Sequence, residues 1–332
     1  MGVDRVFVTR RIPDEGLDLL RPVCAVDLWD DDLPPPADAL RERVRGAAGL
    51  LCLLTDPVDE ALLQAAGPGL RVVSQMAVGV DNIDLAACTR RGIPVGHTPG
   101  VLTETTADLA VALLLAAARR LPEAQAAVRA GEWTTWKPLW LAGRDVHGST
   151  VGIVGLGRIG RAVARRLRGF GCRILYTGPR PVPEADEGGA RFVELEELLR
   201  RSDFVTLHCP LTPQTRHLID ERALALMKPT AILVNTSRGA VVDPDALHRA
   251  LAAGQIAAAA LDVTDPEPLP PDHPLLALPN CLVVPHIGSA SVATRTRMAV
   301  MAAENLLAGL RGEPLPHCAN PEVYREADAP PR

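Results

Sequence analysis

The chain has 332 residues, 47% of them apolar and 23% charged, with a formal net charge of −5. At roughly 150 residues per domain this length implies two domains, and the near-ordinary composition excludes a disordered chain or a repeat array. The acidic balance argues against nucleic acid as a partner, because counterion release requires a cationic face; the longest apolar stretch, Leu109 to Ala118, is far short of the ~20 residues a membrane span needs.

In chain order, short apolar runs predict strands at Val6 to Val8, Leu50 to Leu54 and Arg71 to Ser74, the start of a small first sheet. A strongly apolar helical pattern then runs from Thr103 to Leu121. From Thr150 the alternation sharpens. Val151 to Val154 reads as a strand, Gly155-Leu156-Gly157-Arg158-Ile159-Gly160 follows at once, and Ile159, Val163 and Leu167 recur every fourth residue along one helix face. Gly169 and Gly171 stop that helix, and Arg173 to Tyr176 completes a βαβ unit. Further strands are expected at Phe204 to Leu207, Ala231 to Val234, Ala257 to Leu261 and Leu282 to Val284, with helices at Leu195 to Arg201 and Pro244 to Ala253 between them. A last helical pattern covers Ser289 to Leu310. This is the α/β signature of parallel sheets with crossover helices. The two long apolar helices are read as crossing between domains, so the first domain is discontinuous, 1–101 with 290–332, and encloses 102–289.

The seven cysteines (Cys24, Cys52, Cys88, Cys172, Cys209, Cys281, Cys318) are odd in number and scattered, with no C-x-x-C pair. They read as buried thiols of a reducing cytoplasm, with neither disulfides nor a bound metal. No charged-then-apolar leader opens the chain, Met1-Gly2 lacks the Ser or Thr that myristoylation requires at position 6, and Pro330-Pro331-Arg332 is no sorting tag, so a cytoplasmic protein without membrane attachment is expected.

A glycine-rich turn alone is a weak signal. Between a strand and a helix inside a βαβ unit, G-x-G-x-x-G marks a dinucleotide site, where the backbone approaches a pyrophosphate held by the helix N-terminus. An acidic residue at the end of the second strand would accept the ribose 2′-hydroxyl of NAD, but that place reads Tyr176-Thr177-Gly178-Pro179-Arg180. Thr177 and Arg180 can donate to a 2′-phosphate, so NADPH is the expected cofactor and NADH the alternative.

Every expected strand of the larger domain runs into something chemically capable: Gly155, Thr177, His208-Cys209-Pro210, Ser237-Arg238-Gly239, Asp262 and His286-Ile287-Gly288-Ser289. Taken singly these have ordinary explanations, with Asp262 a helix cap, Glu267 a turn residue beside prolines and His286 a satisfied core histidine. Their joint position at strand ends, where open parallel sheets bind ligands, points instead to one crevice.

These residues carry a resemblance over nearly the whole chain. Val78-Gly79-Val80-Asp81, the glycine-rich loop, Pro210-Leu211-Thr212-Pro213-Gln214-Thr215 and Ser237-Arg238-Gly239 resemble the D-2-hydroxyacid dehydrogenase family. Gly131-Glu132-Trp133-Thr134-Thr135-Trp136-Lys137-Pro138, Leu261-Asp262-Val263-Thr264-Asp265-Pro266-Glu267-Pro268 and Pro285-His286-Ile287-Gly288-Ser289-Ala290 are most similar to its glyoxylate reductase/hydroxypyruvate reductase branch, from which Pro179 is the main departure. The resemblance implies two doubly wound parallel-sheet domains, a Rossmann NAD(P)-binding domain over 102–289 and a smaller flavodoxin-like substrate domain, closing over a crevice. It further implies an Arg-Glu-His set at Arg238, Glu267 and His286, in which Arg238 binds the carboxylate and carbonyl of a 2-keto acid, His286 delivers the proton and Glu267 pairs with the imidazolium. Cofactor contacts are implied at Gly155, Leu156, Gly157, Arg158, Ile159, Gly160, Thr177, Gly178, Arg180, Cys209, Pro210, Thr215, Thr236, Ser237, Asp262 and Gly288. Substrate contacts are implied at Val78, Gly79, Leu54, Ser289, Trp136 and Arg295 besides Arg238 and His286. Related phosphoglycerate, formate and phosphite dehydrogenases are the catalytic rivals, and a nucleotide-sensing corepressor-like scaffold is the non-catalytic one.

Trp133, Trp136 and Trp140 are three of only four tryptophans, packed into eight residues. Pro138, Gly131 and Gly143 argue against a long helix there, which leaves an apolar arm that a second copy should cover, as in the resembled branch. A homodimer is expected.

Overall fold

The computed structural model describes residues 3–183 and 189–327; Met1-Gly2 and Pro330-Pro331-Arg332 lie outside them. In chain order the elements are β1 (Asp4–Val8), α1 (Asp14–Leu20), β2 (Cys24–Leu28), α2 (Ala37–Val44), β3 (Gly49–Cys52), α3 (Glu60–Ala66), β4 (Val72–Gln75), α4 (Leu85–Arg90), β5 (Val95–Gly96), α5 (Thr103–Ala118) and α6 (Leu121–Arg129). They continue as β6 (Thr150–Val154), α7 (Arg158–Arg168), β7 (Arg173–Thr177), β8 (Ala190–Phe192), α8 (Leu195–Arg201), β9 (Phe204–Leu207), α9 (Glu221–Leu226), β10 (Ile232–Asn235), α10 (Pro244–Ala252), β11 (Ala258–Leu261), β12 (Cys281–Val283), α11 (Val292–Leu310) and α12 (Val323–Ala327). The chain divides into two compact units, Met1–Leu102 with Ala290–Arg332, and Thr103–Ser289.

The first unit carries a parallel sheet in the order β2-β1-β3-β4-β5. This is the flavodoxin-like order, with its switch point between β1 and β3. Each face has its own core: Leu17, Met298, Ala302 and Leu306 from α1 and α11 on one side, and Leu40, Leu62, Leu63 and Ala87 from α2, α3 and α4 on the other. Small residues set how closely α11 lies on the sheet, since a Cβ on Gly309 would stand 2.5 Å from Val72.

The second unit holds seven parallel strands in the order β12-β11-β10-β9-β6-β7-β8. Renumbered within the unit this is 7-6-5-4-1-2-3, the Rossmann arrangement with one added strand, switching direction between β6 and β9. The central strands β6, β9 and β10 are buried at every residue, as strands covered by helices on both faces must be. Among the described residues no helix is long and apolar enough to cross a membrane, and no group of His, Cys, Asp or Glu could hold a metal ion.

The structure corrects several sequence readings. The apolar helix expected over Thr103 to Leu121 ends at Ala118, because Arg120 turns left-handed (φ 52°) and Pro122 opens a separate helix, α6. The helix expected from Ser289 starts at Val292, where the Ser291 hydroxyl caps it by accepting from the Thr294 amide (3.2 Å). Neither long helix spans both units: α5 packs on α7, β10 and β11, and α11 on α1, β3 and β4. The chain passes between units just before each of them. Strands β2, β5 and β8 went unread, being short or half-exposed edge segments with little periodicity.

Candidate active site

Because every strand of the second unit runs the same way, all of their carboxyl ends open on one edge, and the loops leaving them carry the chemically capable residues. The glycine-rich loop joins β6 to α7. Gly155 has φ +93°, and a Cβ there would sit 2.7 Å from the Cys209 amide nitrogen, so the loop after β6 presses on the loop after β9 at the switch point. A Cβ on Gly160 would meet the Gly155 carbonyl at 2.3 Å, which fixes close helix-to-strand packing. Gly157 faces open space. The first turn of α7 carries neither a side-chain cap nor an acidic residue. Its amides and the gap at Gly157 therefore fit the pyrophosphate of a dinucleotide.

At the end of β7, Thr177 is buried and Gly178 half-buried, while Arg180 is exposed. The loop is pinned from below by Tyr176, whose phenolic oxygen accepts from the Val182 amide (2.9 Å) and whose ring packs edge-on against Phe192. Residues 177–183 contain no carboxylate, and Arg180 is the one charged residue among them.

Beyond β9, burial pushes His208 down to about 3, so its ring is neutral, and it bridges the hydroxyls of Thr206 (2.9 Å) and Thr236 (3.3 Å). Cys209 beside it is pushed up to about 11 by burial and stays a thiol. Thr215 folds the following turn, donating to the Pro210 carbonyl and accepting from the Thr212 amide, both at 2.7 Å.

The turn after β10 is built on Asn235. Its amide donates to the Arg238 carbonyl (2.9 Å), and its carbonyl accepts from the Ser237 amide (3.0 Å) and hydroxyl (2.9 Å). Arg238 is half-buried, with one guanidinium nitrogen on the Ser237 carbonyl (2.9 Å). Gly239 lies so close to the next segment that a Cβ would fall 1.9 Å from the Thr264 carbonyl oxygen. The arginine turn and the segment from β11 to Glu267 are thus packed together.

His286 and Glu267 form the centre of the site. His286 Nδ1 donates to Glu267 Oε1 at 2.5 Å. Burial alone would raise the Glu267 pKa, but the His286 bond and charge, the Thr264 amide and the positive charge of Arg238 outweigh it and hold the carboxyl below its ordinary value. Arg238, Glu267 and His286 therefore form one electrostatic cluster. Asp262, buried at the end of β11, accepts from the Ile287 amide (2.6 Å) and the Gly288 amide (2.8 Å), and its backbone carbonyl accepts from the His286 amide (2.9 Å). Burial raises the Asp262 pKa against these amide bonds. Both carboxylate oxygens are occupied with holding the 286–288 loop, in which His286 has φ +52°. Ser289 follows directly.

In the first unit Leu54 lies on the loop after β3, and Val78 and Gly79 on the loop after β4; Leu54 and Val78 are partly exposed. Arg295 sits in the first turn of α11. Trp136 lies in the segment between α6 and β6, 80% exposed, beside Trp133 (64%) and Leu139 (87%). It is not gathered with the strand-end residues. Sequence reasoning missed the groups that hold these loops within each unit: Tyr176 and Asn235 in the second, Gln75 and Asn82 in the first. Asn235 ends an apolar strand just before Ser237-Arg238, and that was the available signal.

A family model described as the D-isomer specific 2-hydroxyacid dehydrogenase, NAD binding domain, matches residues 111–288. The glyoxylate reductase/hydroxypyruvate reductase of Homo sapiens is 57% identical over 316 residues, covering 94% of this chain and 96% of that protein. The glyoxylate reductase of Korarchaeum cryptofilum is 55% identical over 323 residues, covering 97% of each. Among solved structures, a Thermus thermophilus protein superposes with a TM-score of 0.88 at 50% identity, covering 95% of this chain and 99% of that one. An NADPH-dependent glyoxylate/hydroxypyruvate reductase from Sinorhizobium meliloti, in complex with NADP and malonate, does so with 0.84 at 34% identity, covering 96% and 98%. A Rossmann unit with a glycine loop ready for a nicotinamide dinucleotide, and relatives that match almost end to end, place this chain in the D-2-hydroxyacid dehydrogenase family, as an oxidoreductase of the glyoxylate reductase type.

Proposed function

We propose that the enzyme reduces glyoxylate to glycolate and hydroxypyruvate to D-glycerate with NADPH, acting as a homodimer in the cytoplasm. The 2.5 Å Glu267–His286 bond, with the charge of Arg238 beside it, carries this reading. When bound, the reduced nicotinamide supplies the hydride. Arg238 pairs with the substrate's carboxylate and carbonyl oxygens, orienting it and polarising the bond to be reduced. Since His286 Nδ1 is committed to Glu267, its Nε2–H delivers the proton to the carbonyl oxygen, and the Glu267 carboxylate stabilises the imidazolium until then. Asp262 keeps the ring in place through the 287–288 amides. The amides of Val78 and Gly79 take the carboxylate, Leu54 and Arg295 line the substrate site, the partner subunit's Trp136 helps to close it, and Ser289 meets a substrate hydroxyl. Thr215, Thr236, Ser237, Cys209, Pro210 and Gly288 complete the cofactor bed, with Thr177, Gly178 and Arg180 at the 2′-phosphate. Seven free cysteines support a reducing compartment.

NADPH oxidation against glyoxylate, hydroxypyruvate, pyruvate and phosphohydroxypyruvate tests the assignment. The first two should give the highest kcat/KM. A preference for phosphohydroxypyruvate would move the enzyme to the phosphoglycerate type, and nucleotide binding without turnover would favour the scaffold reading.

A further inference from the structure

Three successive peptide groups on the loop after β4 have their carbonyls tied by donors inside the first unit. The Ala77 carbonyl accepts from the Thr98 amide (2.8 Å), the Val78 carbonyl from His97 Nδ1 (3.0 Å) and the Gly79 carbonyl from Gln75 Nε2 (2.6 Å). A carbonyl oxygen only accepts, so His97 must carry its proton on Nδ1 and Gln75 must present its NH2 group, which fixes the tautomer and the amide orientation. These peptides are trans, and the N–H of a trans peptide points opposite to its C=O. The amides of Val78, Gly79 and Val80 are therefore turned away from the groups that hold the carbonyls. Among the described residues none of the three donates to a protein acceptor. A run of free amides of this kind binds anions.

Gln75 is itself locked. It is fully buried and forms a reciprocal amide pair with Asn82, giving Nε2 to Asn82 Oδ1 (2.7 Å) and receiving Asn82 Nδ2 on Oε1 (2.8 Å), while the Cys52 thiol adds a contact to Oε1 (3.4 Å). Asn82 Nδ2 reaches on to the carbonyls of Leu53 (3.1 Å) and Asp56 (2.7 Å), either side of Leu54. Asp56 closes that loop by accepting from the Leu53 amide (2.8 Å) and the Thr9 hydroxyl (2.5 Å). One pair of neutral amides, the buried Gln75 and the half-buried Asn82, thus ties the loop that presents the anion-binding amides to the loop that presents Leu54.

We propose that Gln75, with Asn82 and His97, is a positioning residue for carboxylate recognition: it sets the peptide planes so that Val78, Gly79 and also Val80 offer their N–H groups to the substrate, and it holds the Leu54 loop in register with them. This rests on the proposed role of the Val78 and Gly79 amides and extends it by a third amide and by the groups that aim all three.

The test uses oxalate, a dicarboxylate analogue of glyoxylate, titrated into the enzyme with NADPH bound, together with crystal structures of the variants. Gln75→Met keeps the length and removes the donor, and should weaken oxalate about tenfold and raise KM for glyoxylate more than it lowers kcat, with NADPH affinity within about twofold of the parent. His97 is only half-buried, so His97→Phe should fold even where Gln75→Met does not. It should turn the 78–79 peptide and weaken oxalate several-fold, while His97→Asn, whose amide can replace the Nδ1 donor, restores it. Oxalate affinity unchanged in the folded variants, or peptide planes left in place, overturns the proposal. Turned planes with undiminished oxalate binding overturn it too, and with it the carboxylate role of these amides. A parent enzyme that reduces no 2-keto acid overturns the proposed activity instead, and the variant crystal structures still decide whether these side chains set the planes.

Discussion

His286 has one nitrogen on Glu267 and one for chemistry, so its protonation should govern the direction of the reaction. Glu267→Gln keeps the size of the side chain but removes the carboxylate that accepts from His286 Nδ1, so kcat for reduction should fall by about one to two orders of magnitude; a native kcat would assign the proton transfer to another group. Arg180 governs cofactor choice on this reading. Losing one charged hydrogen bond of about 1.5–3 kcal/mol, Arg180→Ala should shed roughly tenfold or more of the preference for NADPH over NADH, measured as the ratio of kcat/KM values. His208 affects stability instead. Its folded pKa of about 3 lies below the ordinary 6.5, so the unfolded chain takes up the proton first, and stability is retained above about pH 6.5 and lost as pH falls from there toward 3. The slope should reach at most about 1.4 kcal/mol per pH unit, and His208→Asn should flatten it in urea titrations between pH 6.5 and 4. At this scale the sequence showed Arg238, Glu267 and His286, which the structure gathers into one cluster, because Arg, Glu and His at strand ends have few structural uses. It did not show what holds them. Asn235, Tyr176 and Gln75 sit in strands as one more half-apolar or polar letter, and their function lies in hydrogen bonds to loops distant in the chain or folded back on it.

The loop after β12 shows how an element depends on a single side chain. Residues 286–288 carry a positive φ at His286 and a glycine whose Cβ would stand 2.9 Å from Asp262 Oδ2, and the Asp262 carboxylate satisfies two of their amides. Asp262→Ala leaves those amides unpaired in a buried place, so kcat should drop by about one to two orders of magnitude while KM changes less, and melting temperature should fall by several degrees. A variant with native kcat would show that the strand end alone positions the histidine. Elements were legible where they were long or buried on both faces. Phe204–Leu207 and Leu195–Arg201 are bounded as read, since a short buried run rich in β-branched residues, or an amphipathic turn with Glu196 and Glu197 at its start and Arg200 and Arg201 at its end, admits one reading. The ends of α5 and α11 were overrun because Ala and Leu continue past a left-handed residue or precede a cap without changing the apolar period. Edge strands such as β2 are specified by their neighbours, Cys24 to Leu28 pairing with Asp4 to Val8, more than by their own letters.

For the whole molecule, the exposed arm is where the proposed second copy would dock. Trp133, Trp136 and Leu139 together present more apolar surface than a monomer keeps in water without cost, and a second copy is the cover we propose. Sedimentation should find a dimer at assay concentrations, and Trp136→Ala should loosen it or raise KM for hydroxypyruvate, as the loss of an aromatic anchor worth ~2 kcal/mol would. An active monomer, or a variant with native kinetics and assembly, removes that cover. The discontinuity of the first unit has a separate consequence, for synthesis. One face of its sheet is closed by Met298, Ala299, Ala302 and Leu306 of α11, residues made about 200 positions after Leu102. At about 5–20 residues per second, Val72 waits roughly 11–45 s and Val6 and Val8 roughly 15–60 s for their partner helix, whereas residues 103–289 form an uninterrupted unit. The order of maturation is therefore the reverse of the order of synthesis: the second unit can complete its core first, and the first unit must be kept from aggregating in the interval, a task that falls to the ribosome surface or to chaperones.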